Sequence, residues 1–414
     1  MEVFNRNTKI IAVCVYFLLV FITERFYREP LFNYSLSKIP ELQQSFSPLT
    51  LTFYGYITNL GKFEGILPLI VLIFNYFPIS ISYFLLLSYI FSFYLDNILK
   101  LLYQDPRPYF VNTEIIPYKT DTDFGNPSGH SLASTVFYLA LLNISNNITV
   151  FKKNRILYYL YSFFIICSLV LLIFSRFILG VHAINQLIFG VLIGLGLYYI
   201  SFNLIDIDTF TNGTQFFLLN RSNSYNILSF FVYFALIFLS FISYCFFDYD
   251  HTYLLQIHKQ FPNNPEYKFF ENYEFAMTLL IFLVIGAHSG IIYLVYFINK
   301  YYKIDKINYD NLNNFESSIS ELRRLLRFLL ILTIMFISSL PFFLVNEFNS
   351  LSVIYILKIS FPSLLFGFIL FAVAPLICLK LDFFPQTLLL ELSKNIDEPD
   401  QITFIKDSSN LNII

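Results

Sequence analysis

The sequence predicts an all-α protein of the membrane, a polytopic helical bundle of about ten transmembrane helices. Two observations carry that prediction. Of its 414 residues 57% are hydrophobic and only 13% charged, against about 25% charged in a typical soluble domain. Apolar runs close to the roughly 20 residues needed to cross a bilayer also recur along most of the chain.

The elements follow in order. Residues 10–22 are apolar but short. No small-residue cleavage site follows, because the run ends Thr23-Glu24-Arg25, so it reads as a first, short spanning helix rather than a signal peptide. Residues 24–60 are mixed, contain Pro30, Pro40 and Pro48, and are expected to form interfacial or short helical pieces. Further helices are expected over 63–77, 79–99, 130–144, 156–174 and 182–202, then over 225–247, 275–298, 325–345 and 353–381. The tail, 382–414, is polar and mildly acidic.

Lysines and arginines in the loops set the orientation. Arg6 and Lys9, the Lys152/Lys153/Arg155 loop, and a loop holding Lys300, Lys303, Lys306, Arg323, Arg324 and Arg327 fall on one side, expected to be cytoplasmic. Both termini lie there. The opposite face, lumenal in the endoplasmic reticulum or extracellular at the plasma membrane, takes the loops at 100–129 and 175–182 and the acidic 248–274 loop. Asn33-Tyr-Ser would face the lumen and be open to glycosylation, whereas the sequons at Asn143, Asn147, Asn212 and Asn220 would not.

Several function classes fall away on composition. Net charge is −2, so no basic footprint for nucleic acid is present. Cys14, Cys167, Cys245 and Cys378 lie far apart inside apolar runs, which argues against a disulfide framework or zinc site.

Against this apolar background three polar clusters stand out, all on the predicted non-cytoplasmic face. The first runs from Lys100 to Arg107-Pro108, the second is Gly125-Asn126-Pro127-Ser128-Gly129-His130, and the third runs from Ser175-Arg176 through Gly180 to His182. Arg offers a planar fork to phosphate oxygens and Lys a point charge. Pro106 and Pro108 stiffen the chain around Arg107. Ser128 and Gly129 begin an apolar helix, where a capping hydroxyl and free N–H groups favour an anion. His130 sits at the membrane edge, where ionisable groups tend to be functional. A neutral His is a competent nucleophile toward phosphorus, and a second His can protonate the leaving oxygen. Three cations already neutralise developing charge. No pair of carboxylates with metal spacing accompanies the clusters, so the chemistry read from them is a metal-independent phosphoryl transfer with no cofactor.

Together the clusters resemble the type 2 phosphatidic acid phosphatase/haloperoxidase superfamily, whose pattern is Lys-x6-Arg-Pro, Pro-Ser-Gly-His and Ser-Arg-x5-His-x3-Asp. Every element but the last is present, in order and at matching spacing. The resemblance implies a six-helix phosphatase core over residues 50–202. It implies His182 as the nucleophile that forms a phosphohistidine, His130 as general acid, and Arg176 in the catalytic set. Lys100, Arg107, Ser128, Gly129 and Arg176 would bind the phosphate. In the place of the final Asp stands Gln186, four residues after His182 and on the same helical face. Gln can fix the His tautomer but cannot stabilise an imidazolium as a carboxylate would. The glucose-6-phosphatase branch also carries Gln here.

Residues 1–49 then form an N-terminal helix and lumenal segment, 203–381 four additional helices, and 382–414 a cytoplasmic tail. Asp248, Asp250, His251 and His258 share one loop and read as solvated or lid residues rather than metal ligands. His288 reads as a hydrogen-bonded packing residue, and Asp96 as the partner of Lys100. The preferred substrate is a phosphorylated lipid, phosphatidate or a sphingoid-base phosphate, drawn from the membrane lipid itself. A sugar phosphate of the glucose-6-phosphatase kind is the alternative, supported by Gln186, the Arg107-Pro-Tyr-Phe run and the helices after the core. A non-catalytic binding protein on a retained site is a further alternative.

Overall fold

The protein, in a computed structural model, is described over residues 2–61, 65–66, 68–70, 73, 79–118, 123–146, 149–204, 223–246, 277–302, 321–343 and 353–381. It is an all-α membrane protein with no strand among the described residues. Six helices are long and apolar enough to cross a membrane, and two shorter apolar helices, Ile281–Leu294 and Leu325–Ile337, accompany them among those residues.

The N-terminal region departs from expectation. Instead of a short span followed by fragments, Glu2–Ser45 is one helix of 44 residues, α1, that continues through Pro30 and Pro40. At 1.5 Å per residue it is about 66 Å long, more than twice the roughly 30 Å hydrocarbon layer. The whole helix is therefore longer than one crossing needs, and polar side chains spaced along its second half tie it to other elements. Glu24, Ser35 and Gln43 are all buried and bind other elements rather than water. Pro48–Ile57 (α2), capped by Ser47, follows it. The helix expected over 63–77 lies mostly outside the described residues.

Ile79–Tyr103 (α3) carries Lys100 in its last turn, one turn beyond the expected boundary at 99. Gly129–Ser145 (α4) is capped by Ser128 as anticipated. Arg155–Ile178 (α5) runs a turn longer than expected, which places Arg176 in its final helical turn rather than in the connection. Ile184–Tyr199 (α6) follows and continues into a π-turn. The C-terminal half holds Asn223–Phe246 (α7), Ile281–Tyr302 (α8), Glu321–Phe343 (α9), Val353–Phe368 (α10) and, after a second π-turn, Ala374–Lys380 (α11). The loop with Asp248, Asp250, His251 and His258 lies outside the described residues, as does the tail.

Packing places α4 between α3 and α6, with α1 along α6. The α4–α6 contact is close because Gly190 and Gly194 face it. A Cβ on Gly190 would meet the Ser128 carbonyl at 2.7 Å, and one on Gly194 the Leu132 carbonyl at 2.8 Å. Two small residues four apart let backbones approach in a membrane, and here they bring the helix after His182 against the Pro-Ser-Gly-His turn.

The C-terminal helices are tied to the core by a partly buried polar set in addition to apolar packing. His288 Nε2 donates to Asn226 Oδ1 (3.1 Å), while its Nδ1 accepts from Tyr83 Oη (3.1 Å), which also meets Tyr233 Oη at 2.9 Å. This joins α3, α7 and α8. His288 thus has the hydrogen-bonded packing role read from its position in the sequence.

Candidate active site

The three clusters converge at one end of α3, α4, α5 and α6. Beneath their loops lies a small apolar cluster that includes Tyr109, Phe110, Phe124, Leu179 and Val181, with Ile39 contributed by α1. The loops are therefore seated on a core of their own, which fixes the backbone that carries the functional side chains.

The turn carrying His182 is built by Gly180. It takes φ +72, a conformation glycine adopts without strain, in the position that ends helices. The chain reverses there, and the N–H groups of Val181 and His182 both donate to the Arg176 carbonyl, at 3.2 and 3.3 Å. Six residues apart in sequence, Arg176 and His182 share one turn.

Hydrogen bonds set the protonation of His182. Its Nδ1 faces two oxygen acceptors, the Gly125 carbonyl (3.0 Å) and Gln186 Oε1 (3.1 Å). Gln186 is held in that orientation because its Nε2 donates to the Pro106 carbonyl (2.8 Å) and its Oε1 accepts from the Ala183 N–H (3.2 Å). Nδ1 consequently carries the proton and Nε2 the lone pair. That Nε2 is 3.1 Å from Arg107 Nη1. Gln186→Ala would leave the Pro106 carbonyl and Ala183 N–H without this partner and release one of the two acceptors on His182. The expected result is turnover lowered about 10–100-fold with little change in KM, read by steady-state kinetics, because the group acts on nucleophile orientation rather than binding.

Arg107 is almost fully buried and each of its nitrogens is engaged. Nε donates to the Asp123 carbonyl (2.9 Å), Nη1 also donates to the Val181 carbonyl (2.8 Å), and Nη2 pairs with Asp123 Oδ1. Lys100 pairs with Asp96 Oδ2 at 3.0 Å, as its spacing implied, and with Asp123 Oδ2. Lys100, Arg107, Gly129, His130 and His182 line one cavity of about 70 Å³. Its remaining walls are Asp96 and Asp123, with Phe93, Asn97 and Met277.

Two residues expected at the phosphate, Ser128 and Arg176, do not line that cavity, and neither does Gln186, expected to orient His182. Ser128 caps α4, accepting from the Ser131 N–H and hydroxyl. Arg176 donates from Nη1 to Thr58 Oγ1 (2.9 Å), and its carbonyl shapes the His182 turn. Gln186 stands on the far side of the His182 ring, as an orienting group should.

The structure adds Asp123, which the sequence did not place at the site, to the Asp96 expected beside Lys100. Asp96 and Asp123 both face the cavity, and both are taken by its cations. Among the described residues no group of three or more metal-ligating side chains is present. Asp123 left no periodic or motif signal, since it belongs to an irregular connection. Met277, from the segment leading into α8, brings the C-terminal half to the cavity wall, which nothing in the local sequence announced.

A second set of residues, also missed, supports the site from α1. Glu24 is fully buried and forms a two-pronged pair with Arg28, at 2.6 and 2.7 Å. Its Oε1 also accepts from Asn126 Nδ2 (3.1 Å), which bonds Asp105 Oδ2 at 2.8 Å. Ser35 Oγ accepts from the Ile184 N–H (3.0 Å), beside His182. Gln43 binds the backbone of Ile116 on both its N–H and carbonyl and reaches the Ile178 carbonyl at 3.1 Å. The signal was the Glu24/Arg28 pair at helical spacing in an apolar segment. Glu24→Ala is expected to cost about 1–3 kcal/mol, the range for stranding such partners. A lowered thermal midpoint in detergent, larger than that for the exposed Glu41→Ala, would show it.

Comparison with known proteins bears out the resemblance. The family model described as the PAP2 superfamily matches residues 81–209, the stretch that holds all three clusters. Among solved structures, a transmembrane PAP2-type phosphatidylglycerolphosphate phosphatase from Bacillus subtilis matches at 22% identity and a TM-score of 0.39, covering 46% of this chain and 93% of that one. No curated protein matches.

Proposed function

We propose, from the PAP2 superfamily match across residues 81–209, that this integral-membrane chain is a metal-independent phosphatase that hydrolyses a phosphate monoester through a phosphohistidine on His182. The observation that carries the proposal is the state of that ring, which lines the cavity with Nδ1–H held by two oxygen acceptors and Nε2 beside the Arg107 guanidinium.

The steps balance with this chain's own groups. The Nε2 lone pair attacks phosphorus, the ester P–O bond breaks, and protonated His130 gives its proton to the leaving oxygen. The His182 ring then carries positive charge, which the Gly125 and Gln186 oxygens face. Neutral His130 next takes a proton from water, whose oxygen attacks phosphorus and breaks the P–N bond. Phosphate and neutral His182 result, with His130 protonated again. Lys100 and Arg107 meet the phosphoryl oxygens, together with the start of α4 at Gly129, while Ser128 caps that helix and Arg176 holds the nucleophile's turn. These cations supply the charge that phosphoryl transfer requires.

For the leaving group, a lipid phosphate such as phosphatidate or a sphingoid-base phosphate is preferred. The site lies at the ends of membrane helices, and apolar Phe93 and Met277 share the cavity wall with the polar groups. Glucose 6-phosphate is the second reading, favoured by Gln186. The site would face the lumen or the exterior. Phosphate release by purified protein in detergent with excess chelator tests all of this on phosphatidate, sphingosine phosphate and glucose 6-phosphate. Release that survives chelation supports the mechanism, the preferred substrate separates the two readings, and no release from folded protein on any of them would favour a non-catalytic role.

A further inference from the structure

The carboxylate of Asp123 sits on the very donors that a phosphate would need. One oxygen pairs with Lys100 Nζ and the other with Arg107 Nη2, so it spans the two cations as two oxygens of a phosphate would. Along the cavity wall Lys100 and Arg107 contribute two positive charges, and Asp96 and Asp123 two negative ones. With all four ionised these charges cancel among the described residues, and an incoming dianion meets a stronger positive field when one carboxylate yields its place.

Asp123 is built to yield. Arg107 does not depend on its side chain for position, because Nε donates to the Asp123 backbone carbonyl (2.9 Å) and Nη1 to the Val181 carbonyl (2.8 Å). Lys100 keeps Asp96 at 3.0 Å. Rotation of one short side chain therefore withdraws the carboxylate from Arg107 Nη2 and from Lys100 while leaving both cations anchored. Asp96 is different: it lies one helical turn from Lys100 on the rigid α3. The freed donors adjoin His182 Nε2, 3.1 Å from Arg107 Nη1, so an anion that replaces the carboxylate is placed beside the nucleophile.

We propose that Asp123 is a resident competitor for the phosphate subsite, a positioning residue whose carboxylate holds Lys100 and Arg107 between turnovers and exchanges with the substrate or product phosphate. The inference rests on the reading of this cavity as a phosphate site. In that role Asp123 lowers the repulsion between two buried cations, and it speeds product release by taking back the donors as phosphate leaves. A carboxylate that merely braced the loop would weaken phosphate binding when removed. A competitor does the opposite.

The test is equilibrium binding of radiolabelled inorganic phosphate to the full chain in detergent, for wild type, Asp123→Asn and Asp123→Ser, with thermal midpoints measured with and without phosphate. Asn keeps the shape of the side chain and removes its charge. The variants are expected to bind phosphate about tenfold more tightly than wild type, a change of the size that one displaced charged hydrogen bond supports. Their midpoints should rise more on adding phosphate, and turnover, where measurable, should show lower KM and lower kcat together. Variants that fold only in the presence of phosphate would support exchange equally, since the ligand then replaces the missing carboxylate. Equal or weaker binding by folded variants would overturn the proposal, as would variants that phosphate at concentrations saturating wild type fails to rescue. If wild type itself binds no phosphate, the reading of the cavity falls and the competitor with it. Binding by wild type with no gain in the variants removes the competitor alone.

Discussion

Replacing His182 by Ala is expected to lower phosphate release by about 10³-fold or more, whatever the leaving group proves to be. Loss of a nucleophile removes the step that divides hydrolysis in two, and residual activity then comes from the binding groups alone. The structure makes the expectation specific to one atom. Nδ1 is engaged with Gly125 and Gln186, which leaves Nε2, beside Arg107 Nη1, for the phosphorus, so a side chain able to replace only the Nδ1 contacts should not rescue. His182→Asn is accordingly expected to fold as wild type does and to be as inactive as His182→Ala. Chromogenic phosphate assays with circular dichroism on both variants check this, and substantial turnover by either folded variant would rule His182 out as nucleophile.

Arg107→Lys should be nearly as damaging, by about 10²–10³-fold in kcat/KM, although it conserves charge. Guanidinium serves four partners at once here: the Asp123 carbonyl and carboxylate, the Val181 carbonyl and His182 Nε2. An ammonium group has three donors on a flexible stem and cannot reproduce that planar fork. Loss of one preorganised donor to a developing phosphoryl charge already costs about 10²–10³. Measured side by side, Lys100→Arg should be the milder change, because Lys100 acts as a point charge between Asp96 and Asp123. A larger loss for Lys100→Arg than for Arg107→Lys would mean that the fork is not what matters at Arg107.

Much of this was legible before any coordinates, and the reasons are physical. Long apolar runs have one solution in a bilayer, so α3 through α6 lie within a turn or so of where the sequence put them. Polar residues that interrupt such runs are expensive there, which is why Lys100, His130 and His182 announced themselves and why they share a cavity. Asp96 was legible by its i,i+4 spacing to Lys100. What escaped was of two kinds. Helix α1 was broken into pieces because Pro30 and Pro40 usually end helices. In the fold, tertiary partners for Glu24, Ser35 and Gln43 outweigh that local preference. Asp123 escaped because it lies outside regular helix, where no periodicity singles it out, and Thr58 because it sits in a single 3-10 turn. Arg176 escaped differently: its motif was read correctly, yet one additional helical turn on α5 directs its guanidinium to Thr58 and leaves its carbonyl to shape the nucleophile's turn.

The central claim is that phosphate passes through covalent attachment to His182, and rapid quenching of the enzyme with a ³²P-labelled monoester substrate tests it most directly. The label should be recovered on protein as an acid-labile, alkali-stable phosphoramidate, mapped to the peptide containing His182, present in chelator and absent from His182→Ala. Full turnover with no protein-bound label at any quench time, or label on another residue, would contradict it.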